Sequence, residues 1–243
     1  MKQGIFEITE NAPATPGLFR LALRGDTSAI TVPGQFVNIR QEGFFLRRPL
    51  SVCDWDDSGL IAFYKVVGGG TEALSKKAVG GTLDVLTGLG NGFDLALSGD
   101  RPLLIGGGSG VSPLFGLARR LAASGKHPVA ALGFRTAADA YLAREFAVLD
   151  VPVHLATLDG SAGTAGTVVD AIYDFDYSYF YACGPEAMLR AVDETASAPG
   201  EFSFEEHMGC GFGACMGCTC KTKYGNKRIC RDGPVLKREE VIW

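Results

Sequence analysis

The feature that most constrains this chain lies near its C-terminus, in "HMGCGFGACMGCTCKTKYGNKRIC", residues 207–230. Five of the seven cysteines fall there, and Cys210, Cys215, Cys218 and Cys230 are spaced C-x4-C-x2-C-x11-C, with Cys220 outside the pattern. An odd total cannot pair completely in disulfides, and the opening "MKQGIFEITENAPATPG" lacks the apolar run of an export signal. The expectation is a cytoplasmic chain whose clustered thiols are metal ligands, because a reducing compartment disfavours disulfides.

The first three of these cysteines have the spacing of plant-type 2Fe-2S ferredoxins, whose fourth cysteine lies much further on. A cluster held by four thiolates is negatively charged and needs N–H donors close to its sulfurs. Glycine, lacking Cβ and tolerating positive φ, permits that approach. Gly209, Gly211, Gly213 and Gly217 alternate with the ligands accordingly, and Lys221, Lys223, Lys227, Arg228 and Arg231 would offset the charge. The competing reading is a structural zinc ribbon built on Cys215-x2-Cys218, but zinc sites present two short pairs and the second pair is missing. Cys220 reads as a spare thiol on a strand, with an alternative register in which it replaces Cys218.

Ahead of this segment, 47% hydrophobic residues in a 243-residue chain are enough for more than one core. Residues 4 to 97 read as short strands with turn punctuation, as in "GLFRLALRG", "PGQFVNIR" and "LIAFYKVVGGG", and predict an antiparallel barrel. From "RPLLIGGGSG" onward strand and helix alternate. "VSPLFGLARRLAASGK" reads as a helix with Ser112 as N-cap and Pro113 in its first turn. Strands follow at "PVAALGF", "VPVHLATLD" and "YSYFYACG", and helices at "AADAYLAREFAVL", "GTVVDAIYDF" and "PEAMLRAVDETAS". Such alternation predicts a doubly wound parallel α/β sheet. The fold class is therefore multidomain, β plus α/β, divided as barrel 1–98, α/β domain 99–200 and cluster domain 201–243.

Two glycine turns fall at strand ends of the α/β half. "LLIGGGSGVSP" puts Gly106, Gly108 and Gly110 between a strand and a helix N-terminus, where a pyrophosphate finds free N–H groups and the positive end of the helix dipole. Pro113 stands where the dinucleotide fingerprint has its third glycine. "YFYACGPEAML" places Cys183, Gly184 and Pro185 at the same sheet edge, although Cys183 taken alone reads more readily as a small buried hydrophobe. Together the turns predict a nicotinamide-nucleotide crevice. No acidic residue directly ends "PVAALGF", and Arg135 is easily mistaken for a phosphate ligand, so the sequence does not choose between NAD and NADP.

In the barrel half, "FFLRRPLSVCDW" holds the unit Arg48-Pro49-Leu50-Ser51, and "FYKVVGGGTEALS" holds Gly70-Thr71 opening a helix over Glu72 to Lys77. An arginine and a helix N-terminus are complementary ways to hold a pyrophosphate. The plain alternative is a strand arginine followed by an edge proline, beside an ordinary capped helix.

R-P-L-S, G-T-x-x-L-S, the G-x-G-x-x-P loop and C-G-P-x-x-M, in that order, resemble the ferredoxin-NADP reductase superfamily, in which a barrel binds FAD and an α/β domain binds the pyridine nucleotide. With the cysteine spacing and the trailing "DGPV", the whole chain resembles the electron-transfer subunits of type B dihydroorotate dehydrogenases. The resemblance implies that Arg48, Pro49, Leu50 and Ser51 flank FAD, that Phe63, Tyr64 and Lys65 line it, and that Gly70 and Thr71 meet its pyrophosphate. It makes Cys210, Cys215, Cys218 and Cys230 the ligands of the 2Fe-2S cluster. The last gap is short for the family, with a turn expected at Gly225-Asn226.

Nicotinamide exchanges a hydride and a cluster exchanges single electrons, while a flavin does both; the order NAD, FAD, 2Fe-2S follows from that chemistry. NAD would be an exchangeable substrate. The sequence shows no acid/base constellation of its own, so no catalytic residue is assigned; His127 and His154 read as structural, and His207 as packed by the cluster loop. The resemblance implies a partner, an FMN-containing dihydroorotate dehydrogenase catalytic subunit, in a heterotetramer of two of each. A net charge of -4 without a long basic run argues against nucleic acid, and no run of about 18 apolar residues suggests a membrane span. Two alternatives stand beside this: an NAD(P)H-dependent reductase subunit serving hydrogenase, sulfite reductase or ferredoxin, and a nonenzymatic zinc-binding module. Some relatives of the reductase type carry aspartate at the position of Cys210, so the all-cysteine set favours the dihydroorotate system.

Overall fold

The computed structural model describes residues 1–172 and 175–243. Six strands close the N-terminal barrel: β1 (Lys2–Thr15), β2 (Leu18–Arg24), β3 (Phe36–Ile39), β4 (Arg48–Trp55), β5 (Gly59–Lys65) and β6 (Thr82–Leu89), ordered β1-β2-β5-β4-β3-β6. Alternation decides what each strand buries. Val37 and Ile39 of β3 fill the barrel with Val52 and Tyr64, while Phe36 points outward into a second core.

Helix α1 (Gly69–Ser75) follows β5. It begins three residues before the expected Glu72, because three consecutive glycines enter the turn freely and Thr71 Oγ1 accepts from the Val67 and Gly68 amides at 3.0 and 3.2 Å. Gly70 and Thr71 therefore lie inside its first turn.

The second half runs β7 (Pro102–Gly107), α2 (Val111–Ala123), β8 (Val129–Phe134), α3 (Ala143–Val148), β9 (Val153–Thr157), β10 (Thr164–Ala165), β11 (Tyr179–Cys183), α4 (Glu186–Thr195) and β12 (Gly200–Ser203). After the two-stranded ribbon β13 (Thr219–Thr222) and β14 (Gly225–Arg228) and the single-turn α5 (Ile229–Asp232), β15 (Val235–Lys237) returns to the sheet. The sheet order is β10-β9-β8-β7-β11-β12-β15, parallel except for β15. The direction of winding reverses between β7 and β11, the position where ligands of such sheets bind. Tyr179, Tyr181 and Cys183 face α2 and the barrel, whereas Phe180 and Ala182 face α4 and the cysteine segment.

Four sequence expectations are corrected. Ser112 is not the cap of α2: a 3-10 turn over Gly108–Gly110 feeds directly into the helix, Gly110 caps it, and Ser112 is buried in its first turn. The helix expected from 137 to 149 is split into a 3-10 turn, Ala137–Asp139, and α3, because Tyr141 and Leu142 turn inward to the core and Leu142 takes φ 63°. The helix expected over 166–175 is, up to Ile172, a run of turns in which the Asp170 carboxylate accepts from the Thr167 amide and hydroxyl; Tyr173 and Asp174 lie outside the described residues. The tight turn of the β13–β14 ribbon is Lys223-Tyr224, not Gly225-Asn226, since Thr222 pairs with Gly225 and its hydroxyl donates to the Gly225 carbonyl at 2.7 Å.

A polar latch joins the two halves. Asp54 on β4 accepts from Arg119 and Arg120 of α2 at 2.6 and 3.1 Å, and the Arg120 guanidinium lies 3.4 Å from the Trp55 ring centroid. A cation over an aromatic face in a half-buried setting contributes about 1–2 kcal/mol. Among the described residues, no helix is long and apolar enough to cross a membrane.

Candidate functional site

The site is built along the seam between barrel and sheet. Arg47 and Arg48 have opposite fates: Arg47 is tied to Asp84 at 3.0 Å, whereas no carboxylate pairs with Arg48 among the described residues. Arg48 donates to the Leu46 carbonyl at 2.7 Å and stands 5.0 Å from the Phe44 ring centroid, with its guanidinium against Gly70 where a Cβ would have to sit. Pro49 and Ser51 follow on the outer face of β4, opposite Asn38 and Phe36, and Leu50 is buried in the barrel. A free guanidinium beside the glycine-rich first turn of α1 is a donor set suited to a pyrophosphate.

Strand β5 divides its three expected residues between two faces. Phe63 packs outward on Tyr141, ring centroids 4.9 Å apart, and the Lys65 ammonium reaches over Gly108. Tyr64 points into the barrel, its hydroxyl donating to Asn11 at 2.7 Å, so only its main chain is available outside. Tyr141, which lies in no recognisable motif, donates its hydroxyl to the carbonyls of Gly108 and Ser109 at 3.1 and 3.2 Å. Burial holds its phenol well above the usual range, so it acts here as a neutral donor.

At the sheet's carboxyl edge a cavity of about 550 Å³ opens between Lys65 and Val67 of the barrel and Gly108, Arg135, Pro185 and Met188 of the α/β half. Gly108, at φ 53°, and Pro185 line it directly. Gly106, Gly110, Cys183 and Gly184 lie beneath. A Cβ on Gly106 would meet Val111 and Leu114 of α2, one on Gly110 would meet the Cys183 carbonyl, and Gly184 abuts Gly107. The two turns are thus packed into a single floor, which is what glycine at those positions allows. Burial pushes the Cys183 thiol up to about 12, which keeps it neutral. Asp139 lies 3.8 Å from Arg135 at the cavity wall.

The four cysteines of the spacing motif fall into two pairs in the C-terminal segment. Gly213 N–H points at Cys230 Sγ at 3.1 Å, Ala214 and Cys215 N–H at Cys210 Sγ at 3.2 and 3.4 Å, Gly217 N–H at Cys215 Sγ at 3.5 Å, and Cys230 N–H at Cys218 Sγ at 3.4 Å. Burial opposes ionisation of Cys210, yet the donors from Cys215, Phe212 and Ala214 outweigh it and lower this thiol. Burial first, then the neighbouring Cys218 thiol, raises Cys230. The thiols touch in pairs, Cys210 with Cys215 and Cys218 with Cys230. Among the described residues no three His, Cys, Asp or Glu side chains converge on one metal position. Two pairs, each supplied with N–H···S donors, suit two irons better than one tetrahedral zinc. Cys218 and Cys230 are buried while Cys215 is exposed. Cys220 lies on β13, its thiol raised by burial, and His207 is exposed instead of packed.

A six-stranded barrel closed against a doubly wound sheet, with paired thiols appended, defines the class of ferredoxin-NADP reductase-type flavoprotein oxidoreductases that carry an iron–sulfur segment. Residues 205–242 match the family described as "Iron-sulfur cluster binding domain of dihydroorotate dehydrogenase B". The chain is 40% identical, over all of its length and 99% of the relative, to the "Dihydroorotate dehydrogenase B (NAD(+)), electron transfer subunit" of Geobacillus sp. (strain WCH70), and 45% identical to that of Bacillus caldolyticus over 86% of each. It belongs to the family of dihydroorotate dehydrogenase B (NAD+) electron transfer subunits. Among solved structures it is similar to an NADH-dependent reduced ferredoxin-NADP oxidoreductase studied for flavin-based electron bifurcation, with a TM-score of 0.89 and 30% identity over 99% of this chain and 90% of that one. A ferredoxin NADP+ reductase from Neisseria gonorrhoeae, at 18% identity and a TM-score of 0.67 over 80% of this chain and 90% of that one, shares the fold. The chain is an oxidoreductase component for electron transfer that works with a catalytic subunit.

Proposed function

We propose that this chain carries electrons from an FMN-containing catalytic subunit, which oxidises dihydroorotate to orotate in pyrimidine biosynthesis, through a 2Fe-2S cluster and FAD to NAD+. The observation that carries the reading is the donor geometry of the cysteine segment: four paired thiols, each pair supplied with backbone N–H groups, buried on the barrel side and exposed at Cys215. FAD, when bound, accepts single electrons from the cluster side and delivers a hydride to nicotinamide. The chain's own residues place these groups. Cys210, Cys215, Cys218 and Cys230 hold the cluster. Arg48, Gly70 and Thr71 meet the FAD pyrophosphate, Pro49, Leu50 and Ser51 flank the flavin, and Phe63, Lys65 and the main chain of Tyr64 line it. Gly108 and Pro185 receive the nucleotide on the floor formed by Gly106, Gly110, Cys183 and Gly184.

NAD+ fits this site better than its 2′-phosphorylated relative because Asp139 sets a carboxylate beside Arg135 at the cavity wall. The division into an FAD barrel (1–98), a nucleotide domain (99–200) and a cluster domain (201–243), the cytoplasmic location and the assembly of two chains of each kind belong to the same reading. The likeness to the NADH-dependent ferredoxin-NADP oxidoreductase favours one alternative, a reductase whose cluster serves another acceptor such as ferredoxin.

Coexpression with a dihydroorotate-oxidising FMN subunit separates the two. A stable complex that reduces NAD+ with dihydroorotate is expected; no complex, and no gain in NAD+ reactivity over the FMN subunit alone, would overturn the assignment.

A further inference from the structure

Asn38 lies in β3, outside every motif that the flavin, nucleotide or cluster readings use. It is 1% exposed, and its Nδ2 donates to the carbonyl oxygen of Cys210 at 3.1 Å, a contact spanning 172 residues of sequence. Its neighbour on the same outward face, Phe36, packs in one apolar cluster with Cys218 and Cys230. Across the ladder, Asn38 pairs with Pro49 and Phe36 with Ser51. Adjacent strands run about 4.8 Å apart, so the cluster loop touches the barrel one strand away from the R-P-L-S unit.

Two details show that the contact shapes the loop. Gly211 follows the bonded carbonyl with φ 80°, and a Cβ there would collide with Asn38 Nδ2. The amides further along the same turn, at Ala214 and Cys215, then point at Cys210 Sγ. Asn38 Oδ1 has no donor among the described residues. A buried amide needs hydrogen-bond partners, so a position that only filled space would suit leucine.

We propose that Asn38 is a positioning residue for electron exchange between flavin and cluster. It seats the Cys210 side of the loop against the flavin-bearing face of the barrel and aims the amides whose hydrogen bonds to sulfur set the cluster's reduction potential. This rests on the cluster and FAD reading above.

The test uses the full chain in complex with its FMN partner, as wild type, as Asn38→Leu, which keeps the volume without the donor, and as Asn38→Ser, which keeps a shorter donor. In the leucine variant, FAD content, iron content and NADH oxidation by a dye acceptor stay at wild-type levels. The cluster becomes about tenfold harder to reduce, a fall of about 59 mV in its one-electron midpoint, its reduced-state EPR g values move, and dihydroorotate-driven NAD+ reduction slows about tenfold. The serine variant falls between, at about threefold. Wild-type midpoint and g values in a loaded Asn38→Leu protein overturn the proposal, and if that variant does not fold, the same wild-type values in Asn38→Ser do so. Wild-type protein without FAD or iron overturns the functional reading instead, before any variant is compared.

Discussion

The Arg48 guanidinium occupies the space that a Cβ on Gly70 would need, so a charge without an acidic partner among the described residues rests against the first turn of α1. Two segments 22 residues apart in sequence thereby meet at one point on the barrel surface, where a planar donor and free backbone amides can share an anion.

That relationship predicts the cost of disturbing either residue. Gly70→Ala displaces the guanidinium, and Arg48→Ala removes it. Loss of charge-assisted hydrogen bonds to a phosphate, at about 1.5–3 kcal/mol, weakens FAD binding by about 10- to 150-fold. Because Arg48 forms no ion pair among the described residues, the thermal midpoint of the FAD-free Arg48→Ala protein stays within a few degrees of wild type. Fluorescence titration of the stripped proteins with FAD measures the first effect, and unchanged affinity in both variants would remove Arg48 and Gly70 from the flavin site.

The order of carriers is tested at Cys215, the exposed cysteine of the proposed ligand set. Cys215→Ser is expected to abolish the visible absorption and EPR signal of the cluster while leaving NADH oxidation by a dye within about twofold of wild type, because the hydride passes to FAD without the cluster. Cys220→Ser retains both signals, since that thiol sits on the ribbon with its neighbours' donors directed elsewhere. Loss of dye reduction in a folded Cys215→Ser protein would contradict a linear path from NADH to FAD to cluster.

What was legible in the sequence was whatever local pattern enforces. Strand alternation announced the barrel, and strand–helix alternation with glycine turns announced the sheet, because each element must bury one face. Cysteine spacing announced the metal segment for the same local reason. Pairings between distant segments left no such trace. Nothing near Asn38 points to a carbonyl 172 residues on, and nothing near Val235 shows that β15 will close the sheet beside β12. Tyr141 broke an otherwise plausible helix because its ring and hydroxyl gain more from Phe63 and the Gly108 loop than one more helical turn could return. The family resemblance assigns Tyr64 to the flavin together with Phe63 and Lys65, but the period of two turns its side chain to the opposite face.

Glu201 gives the molecule a pH-dependent seam. The carboxylate is buried on β12, directly across from Lys237 of β15, and accepts from the Asp94 amide at 3.0 Å, so barrel linker, sheet and cluster segment meet at one acid. Burial is the main cause that lifts its pKa from 4.5 to about 7; the Asp94 and Glu240 carboxylates add to the rise, while the Asp94 amide and Lys237 oppose it. The folded state therefore holds a proton that the unfolded chain has already released between pH 4.5 and about 7, and stability falls as pH rises through that window. At about 1.4 kcal/mol per pH unit, the fall is on the order of 3 kcal/mol. Glu201→Gln keeps an acceptor for the Asp94 amide and has no proton to lose, so its urea midpoint should change much less between pH 5 and pH 8 than that of wild type. Equal slopes in the two proteins would mean that Glu201 is ionised in the fold throughout, stabilised by Lys237 more strongly than its burial opposes.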